Sequence, residues 1–131
     1  MAIEIAGYPG EQVGQPFTHT GVIIDITKTA LGGYVLWHNV DCSGGNSGSA
    51  IMITDEEWIK KYSFNKNVKK VIIGVHTGHD PLERLNFGTL ITPSLHKWIL
   101  SGGVDEGGQA DDEKVHEFAK VEKAMGNSKT L

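Results

Sequence analysis

Short β-branched runs separated by turn residues recur along most of this chain, and 17 glycines punctuate them. This pattern predicts strands near Ile3–Ala6, Phe17–Ile26, Gly33–His38, Ser49–Thr54, Val68–His76 and Phe87–Ile91. Six short antiparallel strands can close a small barrel. The expected fold class is therefore all-β: a six-stranded antiparallel barrel followed by a C-terminal helix. Tyr8-Pro9-Gly10 and Leu31-Gly32-Gly33 serve as turns, because proline presets φ and glycine accepts positive φ.

The period changes late in the chain. Leu95, Trp98 and Ile99 are spaced i, i+3, i+4, the signature of one apolar helix face. Thr92 suits the N-cap, Pro93 the first helical position, and Gly102-Gly103 the stop. Between the fourth and fifth strands, residues 54–70 carry Asp55, Glu56, Glu57, Lys60, Lys61, Lys66, Lys69 and Lys70, which predicts a solvated excursion. These signals divide the chain into a barrel over residues 1–101 and a Gly-rich, acidic linker and tail over residues 102–131. Within the tail, Val115, Phe118, Ala119 and Met125 form a weak amphipathic stripe, compatible with a second helix or with an acidic tail that buries nothing.

Composition narrows the function. The 131 residues fit one compact domain, and 39% hydrophobic with 21% charged residues excludes collagen-like, coiled-coil and wholly disordered chains. A net charge of −4 lacks the basic excess that nucleic acid requires, so no nucleic-acid partner is expected. Nor is a membrane, since no apolar run approaches the length of a bilayer span. The single cysteine, Cys42, excludes an internal disulfide and is compatible with a small buried hydrophobe or with pairing to another segment.

The chemistry concentrates in Gly44-Gly45-Asn46-Ser47-Gly48-Ser49. A serine hydroxyl attacks only when a base takes its proton and when donors already point at the oxyanion it creates. Glycines beside a serine let the chain bend until its N–H and that of the residue two before it converge, so Ser47 and Gly45 are the candidate donors. The segment is not a Gly-x-Ser-x-Gly elbow, because Ser49 stands where the last glycine would be. It also lacks the lysine of a phosphate-binding loop.

Four pieces in register resemble the chymotrypsin-like serine proteases, and within them the staphylococcal-type glutamyl endopeptidases. They are Ile5-Ala6-Gly7-Tyr8-Pro9-Gly10, Asp41 to Ala50, Val71 to Gly78, and Asn86 to Thr92. The resemblance covers Ile3 to about Ile99 and corresponds to the second barrel of that fold alone. It implies that Ser47 is the nucleophile, Gly45 an oxyanion donor, and His76-Thr77-Gly78 the strand that pairs with a peptide or protein substrate. His76 would read an acidic side chain. Ala50 departs from the proline usual at its place. No cofactor or metal is implied, and secretion is the family's habit.

The same resemblance puts the catalytic histidine and aspartate in a first barrel. None of the six histidines (19, 38, 76, 79, 96 and 116) matches that base, and most read as surface or packing residues. The expectation is a half-enzyme whose other barrel comes from a preceding region or a partner chain. The alternative is a non-catalytic peptide- or protein-binding remnant. Two side candidates remain. His76, His79 and Asp80 suggest a metal, but i, i+3 spacing on a strand divides the rings between two faces. Asp41 and Cys42 fall at the pocket floor, where a carboxylate would favour basic side chains and so compete with His76. Against that, His76 shares a face with Gly74, whose missing side chain would leave room for a substrate group.

Overall fold

A computed structural model describes residues 1–7, 14, 16–41, 46–62 and 67–103. Among them are six strands: β1 (Ala2–Gly7), β2 (Phe17–Lys28), β3 (Tyr34–His38), β4 (Ala50–Ile53), β5 (Val71–Asp80) and β6 (Leu85–Leu90). Two helices complete the described fold, α1 (Glu56–Tyr62) and α2 (Pro93–Leu100). The strands form a closed barrel in the order β1-β2-β3-β6-β5-β4, every neighbouring pair antiparallel. Closure runs through β1, where Ile5 lies opposite His19 of β2 on one side and Ile51 of β4 on the other.

Alternation decides which residues face inward. Ile3 and Ile5 of β1, Tyr34, Leu36 and His38 of β3, and Ile51 and Ile53 of β4 are all buried at spacing two. With Met1, Ile23, Ile26, Val40, Ile73 and Leu90 they make one core. Bulges interrupt the β2–β3, β4–β5 and β5–β6 ladders, and each adds local twist, which a barrel this narrow needs.

The β3–β6–β5 wall depends on glycine. A side chain at Gly88 would collide with the Val75 carbonyl and Ile51, and a Cβ at Gly74 would lie 2.7 Å from the Thr89 carbonyl oxygen. The space beside Gly74 is thus already occupied by β6 backbone and Ile51, and the expectation that it leaves room for a substrate group is corrected.

The excursion after β4 differs from its reading as a solvated loop. Asp55 accepts the Trp58 N–H at 3.1 Å as an N-cap, Glu56 and Glu57 occupy the first turn, and Lys60 and Lys61 the last. Each charge complements its end of the helix dipole. Ile59 enters the core and Trp58 packs against it, so α1 covers apolar surface despite its charged sequence.

The predicted features of α2 are all present. Thr92 Oγ1 accepts the Leu95 N–H at 3.2 Å, and Pro93 begins the helix. Gly102 and Gly103 end it at φ 77° and 90°, donating to the Ile99 and Trp98 carbonyls in a Schellman arrangement. None of its residues is buried, and Trp98, Ile99 and Leu100 are exposed. Tyr8-Pro9-Gly10 and the proposed tail helix lie outside the described residues.

Candidate active site

Ser47 sits at the corner of a tight turn. The Ser49 N–H returns to the Asn46 carbonyl at 3.0 Å, and Gly48 takes φ 87°, the positive value that the third residue of a type II turn requires. The turn is tied to β5 by two backbone bonds of 2.8 Å, Gly48 N–H to the His76 carbonyl and His76 N–H to the Ser49 carbonyl. Ser47 is therefore exposed on a fixed frame.

Immediately beyond that tie, β5 bulges. His76 pairs with Gly88 and Gly78 with Phe87, which leaves Thr77 without a ladder partner. The Thr77 carbonyl accepts the Ser47 hydroxyl at 3.1 Å. Ser47, His76 and Thr77 are thus brought together, with Gly78 next along the strand. On the side of β5 facing β4 the ladder ends at His76, and no described strand lies beside Thr77 and Gly78. No described histidine hydrogen-bonds to the Ser47 hydroxyl.

Behind the turn lies a pair of buried rings. His38 ends the inward face of β3 and is 0% exposed; His76 is 4% exposed. Their rings meet edge to face, with His38 Nε2 and His76 Nδ1 3.2 Å apart. The Val40 N–H donates to His38 Nδ1, also at 3.2 Å. Burial, together with the charge of its neighbour His76, lowers the His38 pKa to about 4, and burial lowers that of His76 as well. Both shifts favour the uncharged imidazole.

Asp41 stands elsewhere. It is exposed and lines an open pocket of about 420 Å³ with Asn39, Val40, His79, Arg84 and Asn86. Asn86 braces this pocket, its amide nitrogen donating to the Val40 carbonyl and its oxygen lying 2.8 Å from His79 Nδ1. His79 is exposed where His76 is buried, but the Thr77 bulge shifts the alternation: His76 lies opposite Gly88 and His79 opposite Asn86, two positions on one face of β6, so the expectation that the spacing divides the rings between two faces is corrected. Cys42 and Gly45 lie outside the described residues.

One further feature belongs to the turn. Asn46 is 1% exposed, and both its amide atoms are buried without a hydrogen-bond partner among the described residues. Leaving such groups unpaired costs on the order of 1–3 kcal/mol each.

Sequence reasoning missed His38, which it grouped with surface or packing histidines. The signal lay in β3, where Tyr34, Leu36 and His38 share the inward face by simple alternation. Its partner is 38 residues away and could be found only once β6 had placed β3 near β5. Neither a protein-family model nor a curated protein matches the sequence.

Proposed function

We propose that this barrel is the nucleophile-bearing half of a serine endopeptidase, acting through an acyl-enzyme on Ser47. The reading is carried by one observation: an exposed serine at the corner of a glycine turn, fixed to the strand end that carries Thr77 and a buried histidine. Ser47 attacks the scissile carbonyl carbon and its proton passes to a base from a first barrel; collapse of the tetrahedral adduct expels the amine, and water then releases the acid. Gly45 and Ser47 N–H groups serve the oxyanion. On the side of β5 away from β6, where no described strand lies beside Thr77 and Gly78, a peptide could add as a strand by taking the Thr77 carbonyl from the Ser47 hydroxyl. His76 selects Glu or Asp, while Asp41 shares its pocket with Arg84 and is the weaker selector.

The test joins the chain to a His/Asp-bearing barrel and exposes the pair to a fluorophosphonate. Labelling should fall on Ser47, and Ser47→Ala should lower kcat by roughly 10⁶. Labelling that survives this substitution overturns the assignment. The chain alone should hydrolyse peptides far more slowly than the joined pair.

A second reading, a non-catalytic peptide-binding module, is favoured by the Ser47 hydroxyl resting on a carbonyl, with no base bonded to it among the described residues. Peptide binding by the isolated chain, with no labelling even in the joined pair, would select it.

A further inference from the structure

The two buried histidines impose an order on their protons. Val40 N–H can donate only to an unprotonated nitrogen, so His38 Nδ1 is an acceptor and, in the neutral ring, its proton resides on Nε2. That proton points into the 3.2 Å contact, which makes His76 Nδ1 an acceptor in turn. His76 must then carry its own proton on Nε2. This nitrogen has no partner among the described residues. His76 as a whole keeps 4% of its surface exposed.

We propose that His38 is a positioning residue that holds His76 as a neutral, single-donor Nε2–H site, one that reads an acceptor oxygen rather than a negative charge and so takes the amide of glutamine as well as the carboxylate of glutamate. The inference rests on His76 as the recognition group and widens its substrate class. A neutral N–H hydrogen-bonds a carbonyl oxygen and a carboxylate oxygen in the same geometry. The carboxylate gains strength from its charge, but must surrender its hydration in a site where neither ring supplies a positive charge. The amide bears no such cost. No described lysine or arginine hydrogen-bonds either ring. Protonating His76 to match a carboxylate is opposed by burial, the effect that already lowers its pKa.

The full chain tests this without any catalysis. Long-range ¹H–¹⁵N spectra of the imidazoles at pH 7 should show both rings neutral and protonated at Nε2. His38→Leu should release His76 into a mixture of tautomers, whereas His38→Gln, which can accept from Val40 and donate to His76, should restore the single form. Propionamide, mimicking the glutamine side chain, should shift the His76 Nε2 resonance with a Kd within about tenfold of that for propionate. A His76 protonated on Nδ1, an imidazolium at pH 7, no response to propionamide, or His38→Leu leaving the tautomer unchanged each overturns the proposal. The fluorophosphonate result is independent: loss of Ser47 labelling would remove the protease reading and leave the tautomer assignment standing.

Discussion

Ile51 and Ile53 of β4 and the pair His38–His76 line one barrel interior and are shielded from water to a similar degree, yet they obey opposite rules. An isoleucine asks only for volume; removing its methyl groups forfeits transfer free energy and leaves a cavity. An imidazole asks for partners as well, and the two rings meet only because β3 and β5 flank β6. Hydrogen bonds that replace water bonds add little net stability. An isoleucine pair would fill the same interior without that condition, so packing alone does not call for histidine at these two positions.

The sharpest test of this contrast is Ile53→Ala. Fully buried and opposite Ile3 and Val71, the side chain has no exposed route by which its loss can be relieved. The substitution should cost about 2–5 kcal/mol, read as a lower urea midpoint at unchanged slope. The cost should be the same at pH 5 and pH 7. A loss under about 1 kcal/mol would mean that the barrel collapses around small voids, and the apolar half of the comparison would fail.

The histidine half predicts a dependence on pH that the isoleucines lack. In the folded chain the His38 pKa is about 4, against an ordinary value of 6.5. As pH falls below 6.5 the unfolded chain binds a proton that the folded chain refuses, so stability rises with pH across this window. The contribution is complete above pH 6.5 and is lost progressively down to about pH 4. Its full span is on the order of 3 kcal/mol. His76 acts in the same direction. Urea midpoints measured from pH 7 to pH 4 should decline, and His38→Leu/His76→Leu should flatten the decline. An equal slope in the double variant would assign acid sensitivity to other groups.

The same contrast explains what could be read in the sequence. Strands were legible because inward positions such as Ile51 and Ile53 repeat at spacing two, a property of each strand by itself. Boundaries moved where tertiary structure intervened. β5 begins at Val71 rather than Val68 and runs on to Asp80, because its hairpin with β6 continues to a turn in which Asp80 accepts the Leu82 and Glu83 N–H groups. The helix α1 was hidden by its charges; the Asp55 cap and Ile59 were visible, but one buried residue in a charged run gives no periodicity. At the site, the Ser47 turn was legible from its glycines, since Gly48 takes the positive φ they permit. The Gly74 argument misled, because a missing side chain can admit a neighbouring strand as readily as a ligand. The histidine pair required barrel closure, and no local pattern encodes it.

The smallest expected effect is in α2, where the logic of burial hardly applies because no residue of the helix is buried. Its start depends on one hydroxyl: Thr92 Oγ1 accepts the Leu95 N–H and lies 3.1 Å from Ser94 Oγ. Thr92→Ala should therefore cost about 1 kcal/mol, against 2–5 kcal/mol for Ile53→Ala. Thr92→Ser keeps the oxygen and should recover most of it. The location of the loss carries the argument further than its size. If α2 is held by its caps, amide exchange in Thr92→Ala should quicken first at Leu95 and His96 while β4 amides keep their protection. Faster exchange throughout the barrel would instead show that Thr92, itself buried, is part of the core's packing, and the division between a packed barrel and a capped, surface-lying helix would have to be withdrawn.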